Sequence, residues 1–333
     1  LFDRPHREAR RLVSSGFPVY VTVNPVEYHG PHLSLHNDRR LARGILEALH
    51  PRIEEALGEH PLVVGADLEV GVEPCAGPGT RHVSFRAVRA LVLETCRTLA
   101  ELGARRVVLA TFHGSPAHNL ALQAGVDWLE RRGVRAIAPF HVVLDAMISF
   151  DDPETYAPAV VHVQDPQERA GMLAGLARDF HAGFFETSLS LHLAPETVSP
   201  IYRDLPPCAE IRPAPGFARL ARWAARVGRR RLAREFEMVA HAIGWTNLRP
   251  FPGYTGRPAH ATASAGAFFT VKIIERYAEA MRRVFLEDAP GPRPILPWMT
   301  ALTLAGRLAP RPVPTREVLD FVHSDTKRLE ALP

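Results

Sequence analysis

A chain of 333 residues is long enough for one large domain or two ordinary ones around a sizeable core. With 46% hydrophobic and 23% charged residues it reads as globular, which excludes wholesale disorder, and no apolar run approaches the roughly 20 residues of a membrane-spanning helix, so no integral membrane segment is expected. The net charge is only +4, and of forty basic residues only Lys272 and Lys327 are lysines, a compositional bias rather than a clustered phosphate-binding stripe, so nucleic acid is not an expected partner.

The elements follow in chain order. Short β-branched runs at 18–24, 62–65, 106–112 and 134–140 read as strands, and helical patterns at about 41–57, 85–102 and 117–132 lie between them. Gly103 and Gly133 cap the second and third helices. Nearly all-apolar strands separated by helices imply a mainly parallel sheet covered on both faces, a three-layer α/β/α sandwich. Asp165-Pro166-x-Glu168 opens a further helix, expected to end near 181–183. A Pro-rich loop at 206–215 leads to one long or broken helix at 217–244 with seven arginines between Arg219 and Arg234, read either as a solvated face or as a basic surface for a membrane or an acidic partner. Proline is dense again from 290, and 295–305 reads as a docking segment or buried helix. The expected organisation is an α/β domain over 1–289 with a helical insertion at about 206–249, then a Pro-rich extension over 290–333 that packs on the body or frays.

Three widely spaced cysteines, Cys75, Cys96 and Cys208, form no Cys-x-x-Cys pair, which disfavours a disulfide framework and a thiolate zinc site. With no secretory signal visible, a cytoplasmic protein is expected. The chemistry concentrates after the first strand, in Glu27-Tyr-His29-Gly30-Pro31-His32-Leu-Ser-Leu-His36-Asn-Asp38. In extended chain Glu27 and His29 face the same side, and Gly30-Pro31 turns the chain so that Asp38 returns towards them. An Asp/Glu/His set without cysteine suits Zn, Mn or Fe as divalent ions. Thr111-Phe112-His113-Gly114-Ser115 sits likewise at a strand's carboxyl end and makes His113 a candidate ligand; ligand crevices form at such ends. The third segment is His181-Ala-Gly183-Phe-Phe-Glu186-Thr187-Ser188, where a helix C-terminus would favour protonated His181, suited to donating a proton to a leaving amine.

Taken together these residues resemble the creatininase (creatinine amidohydrolase) family, whose pattern is Glu-x-His-Gly-x-His-Leu-Pro-Leu-x-x-Asp, then Pro-Gly-Thr, then a strand ending in Asn-Gly-His-Gly-Gly-Asn, then His-Ala-Gly-x-x-Glu-Thr-Ser. The matching positions are Glu27 to Asp38, Pro78-Gly79-Thr80, His113-Gly114 and His181 to Ser188, with Gly253 to Ala263 similar to a closing Gly-Asp-Pro-x-x-Ala-Thr-Ala segment. The resemblance implies a metal-dependent amidohydrolase that cleaves an amide, lactam or formamide carbon–nitrogen bond through a metal-bridging hydroxide, with one or two divalent metals per chain, a small-molecule amide substrate and a homo-oligomer such as a hexamer. Carried over, Glu27 and His113 hold one metal, His29 the other, and Asp38 bridges; His181 moves the proton, and Glu186 either completes the second site or orients a neighbour. Creatininases proper carry an acidic residue where this chain has Ser115, Asn-Gly where it has Thr111-Phe112, and an acidic residue where it has Phe180, so creatinine is not the expected substrate. The alternatives are a creatininase-fold binding or structural protein that has lost turnover, or a protein that works through its basic helix.

Overall fold

A computed structural model describes residue 1 and residues 3–302. After α1 (His6–Val13), the chain alternates β1 (Pro18–Val23), α2 (Asn37–Leu57), β2 (Val63–Leu68), α3 (Phe85–Glu101), β3 (Arg106–Ala110), α4 (Pro116–Glu130) and β4 (Arg135–Ile137). The four strands form one parallel sheet in the order β2-β1-β3-β4. Six helices complete the body: α5 (His141–Ile148), α6 (Pro166–Gly175), α7 (Phe184–Leu193), α8 (Pro215–Arg226), α9 (Arg230–Thr246) and α10 (Ala263–Leu286), with a last turn, α11 (Met299–Leu302). None of the described helices is long and apolar enough to cross a membrane.

Strand periodicity divides the core in two. Val19, Val21 and Val23 point to one face of the sheet, where they join Val92 and Leu99 of α3 and Leu122 of α4. Tyr20 points to the other, with Leu41 and Ile45 of α2, Leu189 of α7 and Phe269 of α10. A sheet with every β1 residue buried and helices on both faces is the expected sandwich. Helix ends follow local chemistry: the Ser84 hydroxyl accepts from the Ala87 N–H and Ser115 from the His118 N–H, while Gly103 (φ 93°) and Gly133 (φ 75°) take the left-handed conformation that ends α3 and α4.

Several boundaries move. β3 stops at Ala110 because the Phe112 N–H turns to the Asn24 side chain at 2.9 Å. α2 starts at Asn37, which brings Asp38 into its first turn, where the helix dipole favours a carboxylate. The helix opened by Asp165 ends at Gly175, followed by a short 3-10 turn to Arg178, so the expected end near 181–183 is wrong and His181 sits in a loop. The Arg-rich segment is two antiparallel-packed helices broken at Gly228 (φ 74°). Past α10, Ile295 and Leu296 are fully buried in the larger core and Arg293 pairs with Asp127 at 2.7 Å. The remainder of the expected extension, from 303 onwards, lies outside the described residues.

Candidate metal centre

Asn24, just past β1, accepts from the Phe112 N–H and, at 3.2 Å, from the Thr111 hydroxyl, so the loops after β1 and β3 leave the sheet side by side. The first supplies Glu27 and His29, the second His113. Asp38 comes from the start of α2, Glu186 from the first turn of α7, and His181 from the loop before it. All six side chains lie together, each 1–7% exposed.

The distances define two groups that share Asp38. His113 Nδ1 is 2.8 Å from Glu27 Oε2 and 3.5 Å from Asp38 Oδ2. His29 Nε2 is 3.0 Å from Asp38 Oδ1 and 3.7 Å from Glu186 Oε2. Glu27, Asp38 and His113 offer ligand atoms within 4.8 Å of one another, as do His29, His181 and Glu186. Each imidazole uses one ring N–H on a backbone carbonyl: His29 Nδ1 on Glu27 at 3.1 Å, His113 Nε2 on Val72 at 2.9 Å, His181 Nε2 on Tyr28 at 2.9 Å. The other nitrogen of each then faces carboxylate oxygens, as outer hydrogen bonds commonly orient metal-binding histidines.

Burial would depress His29, yet Asp38, Glu27 and Glu186 outweigh it and push it up to about 10. His113 is raised against its burial by Glu27 and Asp38. Asp38 is held well below the usual carboxylate range, since His29 and His113 overcome its burial, whereas burial pushes Glu186 up to about 8. His181 is held below the usual imidazole range by burial and by the neighbouring His29. With no helix C-terminus beside it, the expected dipole-favoured protonation is overturned.

His32 is buried 2.9 Å from the Thr187 hydroxyl, His36 is half-exposed beside Glu69, and His118 is buried against Thr111 and the Val23 carbonyl. Asn119 ties the second loop by donating to the His113 and Ser115 carbonyls, both at 2.9 Å. Ser115, standing where the resemblance calls for an acid, donates to Glu73 at 3.1 Å.

Sequence reasoning passed over three further residues. Cys75 lies beside Glu27 and His181, and its only sequence signal is its position just before Gly77-Pro78-Gly79-Thr80. Trp245 of α9 packs its ring 5.1 Å from that of His181 and donates to the Tyr254 carbonyl, so the Arg-rich insertion walls the cluster. Asp179 accepts from the Phe184 N–H at 2.9 Å and fixes the turn into α7.

An α/β sandwich with a buried carboxylate–imidazole cluster at the carboxyl ends of parallel strands is built like a metal-dependent hydrolase. The chain belongs to the creatininase family: the family model described as creatinine amidohydrolase matches residues 6–281. Among characterised relatives it is 29% identical over 196 residues to a mycofactocin precursor peptide peptidase of Mycobacterium ulcerans, covering 56% of this chain and 63% of that protein, less than two thirds of its length. It is 28% identical over 237 residues to the creatinine amidohydrolase of Pseudomonas putida, covering 65% and 84%. A creatininase crystal structure superposes with a TM-score of 0.53 over 86% of this chain and 97% of its own at 19% identity, a likeness of fold.

Proposed function

We propose that this protein is a metal-dependent amidohydrolase acting on a carbon–nitrogen bond other than that of creatinine. One observation carries the reading: three buried imidazoles, each fixed by a carbonyl, turn their remaining nitrogens into one set of carboxylates. Glu27 Oε2 and Asp38 Oδ2 are buried against His113 Nδ1, and once that nitrogen is unprotonated their lone pairs call for a cation. The donor set therefore fits divalent metals. Glu27, Asp38 and His113 would hold one, and His29, Asp38 and Glu186 a second, with Glu186 taking the place of the acid that Ser115 does not supply. Divalent ions there supply polarisation of the amide carbonyl and acidification of water.

The chain's own residues do the rest. His181, with its N–H fixed on Tyr28, has Nδ1 free to take a proton from water and give it to the departing nitrogen. Trp245 narrows the space around that ring and excludes bulk water. The helices over 206–249 thus act as an insertion that closes the site of a body over 1–289, in a cytoplasmic homo-oligomer. The test is elemental analysis of protein purified without chelator, paired with hydrolysis of formamides, lactams and short peptides, the last because two relatives are peptide peptidases. Two equivalents of metal and chelator-sensitive hydrolysis are expected; one or none without turnover would favour a binding protein.

A further inference from the structure

Glu27 faces two ways. Its Oε2 turns to His113, but its Oε1 turns to a second group, in which the hydrolytic reading uses His181 and leaves Cys75 idle. There Cys75 Sγ, a ring nitrogen of His181 and a Glu27 oxygen lie within 4.8 Å of one another, all three residues buried. His181 Nδ1 stands 3.9 Å from Glu27 Oε1 and makes no hydrogen bond among the described residues, although the side chain is more than nine-tenths buried. The Cys75 N–H donates to Glu27 Oε1 at 2.5 Å, which locks loop and carboxylate together, and the thiol rests at 3.5 Å on the Ala76 carbonyl. In a tetrahedral zinc site with bonds of about 2.0–2.3 Å the ligand atoms stand roughly 3.3–3.8 Å apart. The three atoms need move by about an ångström or less.

From this geometry we infer that Cys75, together with His181 and Glu27 of the hydrolytic centre, forms an additional, overlapping site for a thiophilic divalent cation, zinc or cadmium, which switches the enzyme off. The proposed catalytic ions sit among oxygen and nitrogen donors that many divalent metals accept, whereas a thiolate selects the softer ones. Binding releases the thiol proton to solvent and forms a sulfur–metal bond, with no change of oxidation state. The bound cation occupies His181 Nδ1, the nitrogen that proton transfer needs, and draws on Glu27. Excess zinc therefore inhibits, while manganese, indifferent to sulfur, does not.

The inhibition arm rests on the role proposed for His181; the spectroscopic arm does not. Metal-free protein titrated with Co²⁺ should develop a near-ultraviolet sulfur-to-cobalt charge-transfer band in the wild type and in Cys208→Ala, and none in Cys75→Ala, which keeps the visible bands of cobalt at oxygen and nitrogen donors. Zinc in excess of two equivalents should lower turnover at least tenfold in the wild type and less than twofold in Cys75→Ala. Should Cys75→Ala fail to fold, zinc-edge X-ray absorption of the wild type loaded with three equivalents decides alone, since a sulfur neighbour at about 2.3 Å is required. No sulfur shell, no band in the wild type, or an undiminished band in Cys75→Ala overturns the site, whether or not any amide is hydrolysed.

Discussion

Asp38 has two oxygens, and each faces a different imidazole, His29 at 3.0 Å and His113 at 3.5 Å. A carboxylate so divided is common property of both groups, so removing it strips both. Asp38→Ala is expected to lower metal affinity by more than the roughly 10–100-fold that loss of an outer-shell partner costs, and elemental analysis after dialysis should find neither metal. Full occupancy in that variant would refute the shared role. His181 makes the opposite prediction, because its free nitrogen faces the cluster from one side while its N–H is held by Tyr28. His181→Gln should retain the wild-type metal content and lose about 10²–10⁴-fold in turnover, the usual worth of a proton-transferring side chain. Equal loss of metal and turnover would make His181 a structural ligand instead.

At the scale of elements, the sandwich was legible because strand and helix periods differ and every β1 residue is buried. The Glu27–Asp38 spacing was legible too, since local turns dictate it. Less visible was whatever depends on partners far along the chain. The helix after Asp165 ends early because Asp179 turns its carboxylate to the N–H groups at the start of α7, and no periodicity announces that. Trp245 reaches His181 from 64 residues away by sequence number, through a helix whose arginines drew attention to its other face. Gly256 belongs to this turn: it has φ 61°, and a Cβ there would run into the Asp179 carboxylate. Gly256→Ala should therefore combine a left-handed-conformation penalty with overpacking and cost about 2–4 kcal/mol. Gly133 is the control, with φ 75° and nothing within 4 Å of the place a methyl group would take, so Gly133→Ala bears the conformational cost of about 1–2 kcal/mol alone. Thermal melts of the two variants compare them, and an equal loss would dissociate Gly256 from Asp179.

Over the whole molecule, histidine burial sets an acid limit. His118 and His32 are pushed down to about 3 and His141 to about 4, in each case chiefly by burial, so the folded protein carries them neutral. His141 lies apart from the metal cluster, at the first position of α5, where it donates through Nδ1 to the Pro292 carbonyl at 3.2 Å and ties the segment after α10 to the body. Once unfolded, it titrates near 6.5. A histidine whose folded value lies below its unfolded one contributes stability that is complete above about pH 6.5 and is lost as pH falls towards 4, because only the unfolded chain takes up the proton. The slope is about 1.4 kcal/mol per pH unit for one such group, so His141 alone removes about 2 kcal/mol at pH 5 relative to pH 7. His141→Gln should be less stable than wild type at pH 7, yet lose stability more gradually as the pH is lowered. Urea melts at half-unit steps between pH 7 and pH 4.5 measure both slopes, and parallel curves for the two proteins would mean that His141 is not the neutral buried group its surroundings make it.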